Sequence, residues 1–154
     1  MLITHIAAAG AWLGIDVAMA VVVFTAMVTD DPATRAFSLR ALEVFTVWPL
    51  LIAGLVRLLS GAVLGLGSRW GLVRYWWVSV KLVLNVVLTA LVVVALRPEV
   101  TRLAGQARRW VAGEPATLDV ANLLYPPIVS PVALLIAMTL SVVKPWGRIR
   151  RRVA

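Results

Sequence analysis

Long apolar runs alternate with short polar stretches along this chain, and the runs at residues 2–28, 44–66, 75–96 and 120–143 set its architecture. Each is long enough for a helix to cross the hydrocarbon of a bilayer, which takes about 20 residues. The pattern predicts an all-α fold: a four-transmembrane-helix bundle forming one integral membrane domain over residues 1–154. Thr29-Asp30-Asp31-Pro32 reads as the turn that ends the first span, with a short interfacial helix over residues 32–40. Residues 67–74 are too short a link for anything but antiparallel neighbours, and Arg97-Pro98 reads as the end of the third span. Between the third and fourth spans, Val100, Leu103, Ala107, Trp110 and Val111 share one face, with Arg102, Gln106 and Arg109 away from it. That pattern predicts a short amphipathic interfacial helix, ended by Gly113-Glu114-Pro115. Tyr125-Pro126-Pro127 and Pro131 predict irregular backbone early in the fourth span.

Composition agrees: of 154 residues, 62% are hydrophobic and 14% charged, which leaves no room for a separate soluble domain. Cysteine is absent, which excludes disulfides, iron–sulfur clusters and thiolate chemistry. With one histidine, a zinc site would need carboxylate or inter-subunit ligands, and none is expected. Met1, Met19, Met27 and Met138 form no paired ladder of the kind that moves copper. A net charge of +8 resembles a nucleic-acid signature, but the positive residues sit in short loops and the tail. There they attract anionic headgroups of the lipid bilayer and set topology, and no nucleic-acid partner is expected. The first run lacks a basic leader and carries ionisable groups, so it reads as a span and not a cleaved signal. The loops on the side of the termini hold seven Lys or Arg residues and the opposite loops six. The dense tail, Lys144 to Arg152, points to both termini in the cytoplasm, in a bacterial cytoplasmic (inner) membrane.

Polar groups inside the runs are the informative exceptions, because each is costly in hydrocarbon. On a helix turning about 100° per residue, His5, Trp12, Asp16 and Met19 fall in one stripe of the first span. Gly54, Arg57, Gly61 and Gly65 share one side of the second, where small residues allow close packing. Trp77, Lys81, Asn85 and Thr89 form a polar ridge on the third, and Ser130, Ala133, Ala137 and Ser141 a small-residue seam on the fourth. Asp16 and Arg57 count to comparable depths, which predicts a structural ion pair fastening the bundle; a proton or substrate relay, or an anion bound by Arg57, are the alternatives. His5 and Lys81 also share a depth. A neutral imidazole is a common haem ligand and a lysine suits a second ligand or a propionate, whereas the plainer reading has His5 bonded to Thr4, water or a headgroup. Trp12 is either core packing or the wall of a cofactor pocket. The other tryptophans sit near span ends, as an aromatic belt requires.

His5-x6-Trp12-x-Gly14, with Trp77-x3-Lys81 opening the third span, resembles a superfamily of small bacterial membrane proteins. It includes the HemJ-type protoporphyrinogen oxidases and the membrane domain of the CopD copper-resistance family. Trp12-Leu13-Gly14-Ile15-Asp16, Trp70-Gly71-Leu72 and Trp77-x3-Lys81-Leu82 are similar to an uncharacterised family of predicted four-helix integral membrane proteins. The likeness covers residues 1–97. It implies a haem b or porphyrin site in which His5 and Lys81 are the catalytic pair. His5 would ligate the haem iron, and Trp12 and Asn85 would join His5 and Lys81 in binding the cofactor. The chain departs from the HemJ type where that family has an arginine late in its first helix, here Val21-Val22-Val23-Phe24. Two expectations result. One is a haem-dependent oxidoreductase; the other is a non-enzymatic small transporter or accessory subunit of a membrane complex, with a homo-oligomer or membrane partner.

Overall fold

The computed structural model describes residues 1–68 and 71–143, in which helices are the elements formed. Arg69, Trp70 and the basic tail from Lys144 lie outside the described residues, and with them part of the charge count and of the Trp70-Gly71-Leu72 motif. The four expected spans are present as helices long and apolar enough to cross a membrane. The first is α1, Leu2–Val28. Its C-terminal carbonyls are satisfied by Arg35, whose Nε and Nη2 donate to Ala26 and Thr29 at 2.9 and 2.7 Å. Asp31 then caps α2, Pro32–Phe45, by accepting from the backbone of Ala33 and Thr34, with Pro32 in the first turn.

α2 runs into α3, Val47–Leu66, with a break of one residue at Thr46. The break has a local cause. Pro49 has no N–H for the carbonyl of Phe45, four residues back, and Thr46 Oγ1 donates to the Leu42 carbonyl. A similar event shapes the third span. α4, Trp76–Leu91, continues through a π-turn, Val92–Leu96, into α5, Arg97–Val111. Arg97-Pro98 therefore does not end this span. Pro98 cannot bond the Val94 carbonyl, and the helix absorbs the loss by widening one turn, so that Arg97 N–H reaches Val92. The amphipathic helix is where the pattern places it, as a continuation of the span, and its apolar residues Val100, Leu103, Ala104 and Ala107 pack on α2. It ends as expected: Gly113, at φ +79°, and Glu114 donate to Trp110 and Arg109, closing the last turn. A 3-10 turn, Ala121–Leu124, leads into α6, Pro126–Val143, which runs unbroken through Pro131.

The segments Pro32–Leu66 and Trp76–Val111 have 35 and 36 residues. At 1.5 Å per residue they measure about 50 Å, some 20 Å more than the hydrocarbon is thick. The excess is the α2–α5 layer, which also covers Val23 and Ala26 at the end of α1. Within the membrane α1 is central, packed on α3 and α6. Its other side, with Leu2, Ile3, Ile6, Val17, Val21 and Phe24, is exposed to lipid.

Candidate functional site

Polar side chains occupy the interior of the bundle at successive levels. Nearest the termini, His5 is half-buried, and its Nδ1 lies 3.0 Å from the carbonyl of Arg57 and 3.1 Å from Ser60 Oγ. The approach depends on Gly61: a Cβ there would stand 3.0 Å from the imidazole Cε1. A carbonyl can only accept, so Nδ1 carries the proton and Nε2 keeps its lone pair. The plainer expectation of a histidine held by Thr4 or a headgroup gives way to one fixed by α3. Lys81, on α4, donates to Ser141 on α6 at 2.8 Å and stands 4.9 Å from the Trp77 ring centroid. His5 is thus held by α3, and Lys81 bonds α6. Trp77, expected in the belt, is instead buried, whereas Trp48 is 59% exposed beneath Arg97 and fits the belt.

One turn deeper are Arg57 and Asn85, both buried. Beyond them Trp12 fills the centre, with its indole against Gly54, where any Cβ would collide with the ring and stand 2.7 Å from Thr89 Oγ1. The indole N–H donates to Ser130 Oγ at 2.7 Å, and Ser130 in turn donates to Asp16 Oδ2 at 2.6 Å. Trp12 and Asp16 are both essentially inaccessible.

The expected Asp16–Arg57 ion pair is not formed: among the described residues no salt bridge joins them, and Asp16 bonds Ser130 instead. The reason is register. Trp12 meets Gly54, Asp16 lies a turn beyond Trp12 in one direction, and Arg57 a turn beyond Gly54 in the other. The two charges are thus about 10 Å apart along the bundle at 1.5 Å per residue. Among the described residues, Asp16 Oδ1, Arg57 Nη1 and Asn85 Oδ1 are buried without a hydrogen-bond partner. Such atoms are rare in native interiors and costly in a membrane.

A cavity of about 180 Å³ lies on one flank of this column, with Trp12, Asp16 and Ser130 in its wall together with Leu50, Leu88 and Leu96. His5, Lys81 and Asn85 do not line it, so the expected cofactor-binding group of His5, Trp12, Lys81 and Asn85 is not gathered around one space. Its volume is of the order that accommodates benzene, roughly 150 Å³, and is too small for a porphyrin. Ser60, Ser130 and Ser141 escaped the sequence reading as site residues. Their signal was present, since each is a hydroxyl within an apolar run, but serines also serve as small packing residues.

A bundle of four spans with a polar interior defines a multi-pass helical membrane protein. The chain belongs to the DUF2269 family of predicted integral membrane proteins, with which residues 1–145 match. No curated protein matches the chain. No solved structure matches it either, and these comparisons do not support the expected likeness to the HemJ and CopD types.

Proposed function

We propose that this multi-pass membrane protein is a non-enzymatic small transporter that moves protons along the polar column between His5 and Asp16. Carrying the reading are three buried, unpartnered polar atoms on three helices, Asp16 Oδ1, Arg57 Nη1 and Asn85 Oδ1. Groups left in this state destabilise a bundle, and their retention inside a membrane is accounted for by a path for protons or solute. Asp16, Ser130, Ser60 and His5 offer titratable or hydroxyl groups that can pass a proton on. The proposed setting is a bacterial cytoplasmic membrane with both termini cytoplasmic and the positive loops on anionic headgroups. The test is reconstitution into liposomes loaded with a pH-sensitive dye. An imposed gradient should collapse faster than in empty liposomes, and Asp16→Asn should slow it by about tenfold or more. A wild-type rate equal to that of empty liposomes overturns the reading.

A second reading keeps His5 as a haem ligand, because the Nδ1 contact with Arg57 leaves Nε2 free in the manner of metal-ligating histidines. Haem b would supply one-electron redox chemistry, making the protein an oxidoreductase. The cavity beside Trp12 cannot hold the macrocycle, so His5 would have to hold it elsewhere. Either a second copy of the chain or Lys81 released from Ser141 would complete its surroundings. A Soret band in the purified protein that is lost in His5→Ala supports this reading. No band after expression with added haem ends it.

A further inference from the structure

The cavity beside Asp16 has the features of a ligand site entered from the bilayer. Leu91 and Ala95 on one side of its mouth, and Tyr125 and Val129 on the other, are exposed to lipid, so the opening lies between the third and fourth spans. Its wall is otherwise mostly apolar, with Leu50, Leu88, Val92 and Leu96 beside Trp12, and suits the apolar body of a ligand. At its base Ser130 spends its proton on Asp16 Oδ2 and receives one from Trp12, which leaves Asp16 Oδ1 as the unpartnered polar atom. Asp16 is 1% exposed and has no cation within salt-bridge distance among the described residues. A carboxylate in this setting favours a ligand that brings a positive charge and N–H donors. Trp12 and Tyr125 add aromatic faces of the kind that attract cations.

We propose that this cavity binds small lipophilic amines from the bilayer, with Asp16 as the counter-ion of the ammonium and the apolar wall around a body of about one ring. This goes beyond the proton-transport reading and stands on a separate observation, the cavity into which the bare Asp16 Oδ1 faces. Neutral apolar molecules would gain only the wall, and carboxylates would meet Asp16 as a like charge.

The probe is 4-fluorophenethylamine, followed by fluorine NMR on the whole protein in detergent. Its neutral isostere 1-fluoro-4-propylbenzene and the acid 3-(4-fluorophenyl)propanoate are run beside it. A saturable shift is expected for the amine, with affinity about tenfold or more above either control, as a charge-assisted contact implies. Asp16→Asn should remove that advantage, and Val129→Trp, which plugs the mouth, should abolish the shift. Equal binding of the neutral isostere to the wild-type protein overturns the proposal, a comparison that needs no variant to fold. So does an unchanged affinity in Asp16→Asn, or the absence of a saturable shift. Proton flux that depends on Asp16 without amine binding leaves the transport reading standing and ends this one. Amine binding without flux does the reverse.

Discussion

The two long helical segments build two cores and treat polar groups in opposite ways. In the α2–α5 layer, Ala36, Leu39, Leu42, Val100, Leu103 and Ala107 make an apolar seam, and the charges stand outside it in pairs. Glu43 meets Arg108 at 2.5 Å across the two helices, Glu99 meets Arg102 at 2.6 Å, and Arg109 meets Glu114 at 2.9 Å. In the membrane bundle Asp16, Arg57, Asn85, Thr89 and Ser130 are buried instead, with three of their atoms unpartnered. Where water is close, a polar group gains by turning outward, and the layer follows that rule. The bundle gives up stability at the same few positions on α1, α3 and α4. The first core is thus built for holding, and the second keeps groups that holding alone would have replaced with leucine or valine.

Leu103→Ala is the severest test of this contrast. The side chain is fully buried between α5 and α2. Its truncation should cost about 2–5 kcal/mol, read as a lowered unfolding midpoint in detergent, while proton flux per folded molecule stays unchanged. A parallel fall in flux would mean that the two cores work as one. Asp16→Leu should behave oppositely. Relief of a buried carboxylate with one bare oxygen should offset most of the lost Ser130 bond, leaving a cost of about 1 kcal/mol, while flux and amine binding vanish. Glu43→Gln breaks an exposed pair and should cost only about 0.2–1 kcal/mol, a difference that added salt erases. The last effect, read in its pH dependence, concerns the cap of α2. Hydrogen bonds from the Thr34 hydroxyl and backbone, then from Ala33, hold the Asp31 carboxyl below its usual range. That contribution is present above the unfolded-state value, about 4, and is lost as pH falls through the lowered folded one. Asp31→Ala should therefore flatten the acid side of the stability profile and leave neutral pH flux alone.

Residues whose cause is local were legible in the sequence. The first span ends at Val28 because Asp31-Pro32 starts a new helix, and α5 closes on Gly113 because only that residue accepts its backbone angle cheaply. Pro98 was locally legible as an interruption, yet its consequence was not: α2 already covers the far side of the helix, so a widened turn costs less than a break. The site was half legible. Counting residues from span ends placed Asp16 and Arg57 at one depth, but the slide of α1 on α3 is set by where Trp12 finds Gly54, and no single-helix periodicity contains that contact. The serines were visible as polar letters, while their role depends on which helix stands opposite.

The π-turn at Val92–Leu96 carries one residue more than an α-helical turn, and three residues of this stretch, Val92, Ala95 and Leu96, stand in the wall of the cavity. Deleting one residue here and rewinding the turn as α-helix would rotate everything beyond it by about 100°. The wall of the cavity and the seam on α2 would then be out of phase, like two gears meshed one tooth apart. The widened turn is the phase adjuster that lets a single continuous helix face a cavity at one end and an apolar partner at the other.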